Sequence, residues 1–201
     1  MSDLKFVNKF LLGLFVLLNA SFVLFQENKT IPNFSLKDTN NKIVSLENYK
    51  NSKGLIVIFT CNHCPFAKLY SKRLNELNAK YTAKGFPLIA INSMDTVVYE
   101  DETLANMKAK AKHDKFNFPY LFDANQSVGK LFNAEYTPQA FVLSNENNKW
   151  IVRYAGSIDN NGKEPAKAVP YVANAVEDIL ANVPVAIKET GSIGCRIRYR
   201  N

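Results

Sequence analysis

Beyond residue 26 the apolar residues fall into short blocks separated by polar, turn-forming clusters. Phe34 to Asp38 and Ile43 to Glu47 read as two short strands around Thr39-Asn40-Asn41, which predicts a β-hairpin near the start of the domain. Gly54 then introduces Leu55-Ile56-Val57-Ile58-Phe59, apolar at every position, as a central strand of a parallel sheet covered on both faces must be. From Pro65 to about Tyr81 the period changes: Leu69, Leu74, Leu77 and Tyr81 recur at helical spacing, and Gly85 ends the segment.

The alternation continues along the chain. Pro87 to Asn92 predicts a second strand, Glu102 to His113 a polar-faced helix, and Tyr120 to Asp123 an extended piece followed by a helix to about Asn133. Ala140 to Leu143 and Trp150 to Tyr154 flank Ser144-Asn145-Glu146-Asn147-Asn148 and predict an antiparallel hairpin. Pro170 to Asn182 closes the series as a helix with proline in its first turn. Strands alternating with helices place the chain in the α/β class, and 201 residues with 47% hydrophobic content suffice for one packed domain.

The first 25 residues change the picture. Lys5 and Lys9 precede an almost unbroken apolar run, Phe10 to Phe25, the pattern of a signal peptide or short membrane anchor. The expected organisation is therefore residues 1–25 as export signal or anchor and 26–201 as the domain, facing away from the cytoplasm. The formal charge of +7 adds little, because the basic residues are spread out apart from local excesses at Lys108 to Lys115 and Arg196 to Arg200. That distribution is not a nucleic-acid footprint.

The candidate chemistry sits at the junction between the central strand and the helix after it, in Phe59-Thr60-Cys61-Asn62-His63-Cys64-Pro65. Unpaired N–H groups and the positive dipole end at a helix N-terminus favour thiolate over thiol. The two-residue spacer lets one sulfur reach the other, so Cys61, outermost at the strand end, is expected to attack and Cys64 to resolve the mixed disulfide. His63 between them would stabilise the Cys61 thiolate and raise the potential above that of thioredoxin. A structural disulfide remains open, as does a metal site, although three cysteines and two histidines without a second CxxC make a poor zinc set. Copper(I), which accepts fewer soft ligands, stays as a rival.

CNHCPFAK, PYLFDANQSVGKLFNAEYTPQAFVL and the ending GSIGCRIRYR together resemble the thioredoxin-like redoxins of the alkyl hydroperoxide reductase/thiol-specific antioxidant group, in particular a bacterial subgroup with CNHCP at its active site. The resemblance runs from about Phe34 to the C-terminus. It implies a thioredoxin-like fold, a mixed central sheet flanked by helices with the N-terminal hairpin as an extension, and thiol–disulfide exchange with protein thiols and a redox partner protein. By position it makes Thr137-Pro138 the cis-proline loop beside the CxxC. Thr137, Pro138 and Asn62 are then the expected substrate-binding residues, and Cys195 a third redox thiol in the tail. No cofactor and no resident metal are expected.

Two departures qualify the resemblance. Peroxiredoxins carry PxxxTxxC before the peroxidatic cysteine, whereas here Gly54 and Ile58 stand seven and three positions before Cys61, which weakens a thiol-peroxidase reading. Thioredoxin also has an aspartate in the strand before its CxxC, and LIVIF has no acid. Asp95, just beyond the second strand, is the possible proton relay in its place.

Overall fold

The computed structural model describes residues 29–200. The apolar leader and the boundary after residue 25 lie outside the described residues. Among the described residues no helix is long and apolar enough to cross a membrane.

The central strand forms where the apolar run placed it. Strand β4, Gly54–Phe59, is buried along its whole length. It pairs in parallel with β5, Leu88–Asn92, and antiparallel with β8, Gln139–Glu146. Its two faces feed different cores, since side chains alternate along a strand. Leu55, Val57 and Phe59 join Phe34, Phe132, Phe141, Trp150 and both CxxC cysteines, while Ile56 and Ile58 pack with Leu74, Tyr81, Met107, Val172 and Val176.

Around this centre lie β1 (Thr30–Ile31), β2 (Ser35–Asp38), β3 (Ile43–Ser45), β6 (Tyr120–Phe122) and β9 (Lys149–Gly156). The eight-stranded order is β1-β9-β8-β4-β5-β6-β2-β3. The expected hairpin, β2–β3, forms one edge by pairing β2 antiparallel to β6. Hairpin β8–β9 is longer than the apolar blocks suggested. Ser144 to Glu146 stay in the strand, and only Asn147 and Asn148 turn, both at positive φ (54° and 65°) as a two-residue hairpin turn needs.

The helices are α1 (Pro65–Lys68), α2 (Ser71–Thr82), α3 (Leu104–His113), α4 (Ser127–Phe132) and α5 (Tyr171–Leu180). The single helix expected from Pro65 to Tyr81 is broken. Leu69 and Tyr70 donate to carbonyls three residues back, those of Phe66 and Ala67, and Tyr70 turns inward to donate its hydroxyl to Asp159 at 3.0 Å. A separate two-stranded ribbon, β7 (Tyr136–Thr137) with β10 (Cys195–Arg196), brings the C-terminal tail to the end of β4.

Candidate active site

Cys64 is the N-cap of α1, with Pro65 just inside, so its sulfur sits at the positive end of this short helix without a capping hydrogen bond. Cys61 ends the extension of β4, whose course is carried one residue further by Thr60 N–H donating to Ile91 O at 2.9 Å. Facing them is the Thr137–Pro138 bond, which is cis as its position implied. Cys61 Sγ lies 3.0 Å from Thr137 Oγ1, and Cys64 Sγ–H donates to Thr137 O at 3.2 Å. All three cysteines are free thiols.

Both sulfurs of the pair are inaccessible, which corrects the expectation that Cys61 is outermost: Cys61 and Cys64 are each 0% exposed. The C-terminal tail packs against the core that holds the pair. Cys195 pairs with Thr137 in antiparallel register, its thiol and N–H both reach Cys64, and it remains partly exposed itself.

The acid missing from the β4 strand comes from elsewhere. Glu102, fully buried at the end of a short 3₁₀ turn (Glu100–Glu102), inserts its carboxylate under the CxxC loop. It accepts from the N–H groups of Asn62 (2.9 and 3.0 Å) and His63 (2.9 Å), from His63 Nδ1 (2.5 Å) and from Asn92 Nδ2 (2.6 Å). Nothing in the local pattern marks Glu102. Its only trace is the acidic triplet Glu100-Asp101-Glu102 in the loop beyond a strand's carboxyl end, where α/β ligands gather.

Three expected roles shift accordingly. His63 turns to Glu102 and stacks on Tyr99 with centroids 4.5 Å apart, so it orients the loop and does not donate to Cys61. The Asn62 side chain is engaged internally, donating to Asp101 O at 2.6 Å and accepting from the Tyr120 hydroxyl at 3.1 Å, and so is not free for substrate. Asp95 accepts from Val97 N–H at 3.0 Å and pairs with Arg200 at 3.6 Å, away from both cysteines. The acid beside Cys61 is Glu102, with a carboxylate oxygen within 4.8 Å of the Cys61 sulfur.

The electrostatics of the three thiols follow from these contacts. The neighbouring Cys61 thiol, and after it the Cys195 thiol and the backbone at Ala67 and Cys195, push the Cys64 pKa down to about 4 against its burial. The same Cys64 contact, burial and the negative Glu102 push Cys61 far up. Burial, then the bond to and charge on Cys64, push Cys195 up to about 12. Cys61 and Cys64 titrate as a pair, so a single negative charge is shared between the two sulfurs, and a thiolate on Cys64 would give up the donation to Thr137 O.

Cys61, His63 and Glu102 offer sulfur, ring-nitrogen and carboxylate atoms within 4.8 Å of one another, a donor set for a borderline ion such as zinc or copper. The residues fit such an ion poorly, because the Glu102 oxygens and His63 Nδ1 already bond each other and the loop N–H groups.

A buried strand leading to CxxC at a helix N-terminus, faced by a cis-proline loop within a mixed sheet flanked by helices, defines a thioredoxin-like redoxin. The chain belongs to the AhpC/TSA family, whose profile matches residues 28–159. Over 118 residues it is 27% identical to the thiol-disulfide oxidoreductase ResA of Bacillus thuringiensis subsp. konkukian, a match covering 59% of this chain and 64% of that protein. The chain thus spans just under two thirds of the length of this curated relative. Among solved structures, a hypothetical protein of Sinorhizobium meliloti superposes with a TM-score of 0.78 at 30% identity, covering 86% of this chain and 94% of that one. A thiol:disulfide interchange protein DsbE of Chlorobium tepidum, described as putative, shares the fold at 20% identity with a TM-score of 0.59, over 76% of this chain and 96% of that one.

Proposed function

We propose that the protein is a thiol–disulfide oxidoreductase acting on protein thiols and disulfides, with Cys61 and Cys64 as the pair that closes into a disulfide and Cys195 as a third redox thiol. The observation that carries the reading is the convergence of all three cysteines on Thr137 at the N-terminus of α1, with a preferred seat for one thiolate at Cys64. Thiol–disulfide exchange needs that arrangement: an ionised sulfur, a second sulfur in reach, and a leaving thiol of low pKa. Glu102 holds the CxxC loop, and its carboxylate lies within 4.8 Å of the Cys61 sulfur. Thr137 and Pro138 shape the docking edge, and the basic, apolar residues 1–25 support action outside the cytoplasm.

Exchange with oxidised glutathione, followed by mass mapping, tests the proposal. Cys61→Ser and Cys64→Ser are each expected to abolish formation of the Cys61–Cys64 disulfide. Unchanged exchange in both would overturn the reading. The metal reading has its own observation, the Cys61–His63–Glu102 cluster. Stoichiometric retention of copper or zinc by the reduced protein, lost in Glu102→Gln, would favour it, and substoichiometric retention sets it aside.

A further inference from the structure

An exposed strand edge next to a redox cysteine is a docking site for an extended peptide, whose backbone adds as a further strand. Here β7 is that edge, and the chain's own tail is on it. Thr137 pairs with Cys195 and Tyr136 with Arg196, antiparallel, so a cysteine of the tail stands where the cysteine of a docked peptide would stand.

The tail is built into the domain. Ile197 is 5% exposed and donates its N–H to Glu135 O at 2.7 Å. Gln126, fully buried, donates to Arg198 O and accepts from Arg200 N–H, both at 2.8 Å, and the Tyr199 hydroxyl donates to Ala134 O at 2.7 Å. Gly194 lies so close to β7 that an added Cβ would stand 2.1 Å from Thr137 O. With the tail in this position, neither Cys61 nor Cys64 has any exposed surface, and Cys195 alone of the three is partly open.

We infer that Cys195 is the thiol through which electrons enter and leave the protein, with Cys64 as its inner partner: the tail is a resident substrate strand that relays between external thiols and the buried Cys61–Cys64 pair. This rests on the thiol-exchange reading above and assigns its order.

The steps balance without a further reagent. In the inward step the Cys195 thiolate attacks Cys64 Sγ of a Cys61–Cys64 disulfide. The Cys64–Cys195 bond forms, the Cys61–Cys64 bond breaks, and the proton lost by Cys195 ends on Cys61. In the outward step an external thiolate attacks Cys195 Sγ, the bond to Cys64 breaks, and the electron pair leaves on Cys64. A second external thiolate attacks the external sulfur of the mixed disulfide, which releases the external disulfide and the Cys195 thiolate. Both oxidation and reduction of partners use these steps in opposite directions. The order follows from placement, because Cys195 is the partly exposed thiol of the three and pairs with Thr137, against whose carbonyl the Cys64 sulfur lies at 3.2 Å.

The test uses the full chain with oxidised glutathione as probe, acid-quenched over time and mapped by mass spectrometry. In the reduced wild-type protein, and more durably in Cys64→Ala where the inner partner is missing, the first glutathione adduct is expected on Cys195. Cys195→Ser is expected to exchange at least about tenfold more slowly than wild type, since the remaining sulfurs are covered. A first adduct on Cys61 with Cys195 free, or an unchanged rate in Cys195→Ser, overturns the inference and leaves the thiol-exchange reading standing. Absence of any adduct or internal disulfide in the wild-type protein removes both. The time course on unsubstituted protein needs no variant to fold.

Discussion

At the scale of single residues, the site turns on a charge pattern spread over three chain segments. Cys61 and Cys64 were legible as a redox pair because strand, CxxC and helix follow each other directly in the sequence. Glu102 was not, because a side chain that arrives from 41 positions beyond Cys61 leaves no local period, while Asp95 stands nearer in the sequence just beyond a strand end. The Cys64 thiol, depressed to about 4, makes a pH prediction. Between that value and the ordinary thiol value near 8.5, a folded protein with its shared charge on Cys64 would hold a thiolate where the unfolded chain holds a thiol. The unfolded state then binds more protons, so the stability of the reduced protein should rise with pH through this window and fall away as pH drops through about 4. Denaturant midpoints against pH are expected to show the slope in wild type and a flatter profile in Cys64→Ser; equal profiles would mean that no thiolate is held there. Glu102→Gln removes the negative charge that opposes ionisation of Cys61 while keeping an acceptor for the loop N–H groups. Its expected effect is a lower pKa for Cys61, read from iodoacetamide labelling rates against pH in unfolded-controlled samples, and an unmoved profile would show that the carboxylate only positions the loop.

At the scale of elements, the strands with strong patterns were readable and the two-residue ribbon was not. The β4 run is apolar on both faces and the β2–β3 turn carries its own chemistry, so both stand out in the sequence. Strands β7 and β10 have two residues each, too short for any period, and their pairing depends on a contact between positions 58 residues apart. Helix α1–α2 was read as one piece because the apolar spacing runs through the break, whereas the break is set by Tyr70 reaching Asp159. Two variants probe the ribbon from opposite sides of Cys195 without touching a sulfur. Ile197→Ala truncates a buried side chain at the end of β10 and should destabilise by about 2 kcal/mol, the low end for such a change, by denaturant titration. Gly194→Val puts a branched side chain into the carbonyl of Thr137 and should lift the tail. Iodoacetamide labelling of Cys61 and Cys64 under native conditions is then expected to accelerate, with the far-ultraviolet spectrum unchanged; labelling at the wild-type rate would mean that the tail is not what covers the pair.

At the scale of the whole molecule, the sheet fixes where redox chemistry can occur and the folded state fixes how readily it gains electrons. Strand β4 sits between a parallel and an antiparallel neighbour in an eight-stranded sheet, so its carboxyl end opens between α1, the Glu100–Glu102 turn and the cis-proline loop. Only the reduced protein can place a thiolate on Cys64, and every contact that favours this charge stabilises the reduced fold over the oxidised one. The midpoint potential should therefore lie above the thioredoxin value of about −270 mV, with each 30 mV corresponding to about 1.4 kcal/mol of preferential stability of the reduced form. The two quantities can be measured independently, by equilibration with glutathione buffers and by denaturant unfolding of the reduced and oxidised proteins. They are expected to agree in sign, with the reduced protein unfolding at the higher denaturant concentration. A potential at or below that of thioredoxin, together with an oxidised protein as stable as the reduced one, would show that the charge is not held on Cys64 and would return the thiolate to a sulfur that the fold leaves unsupported.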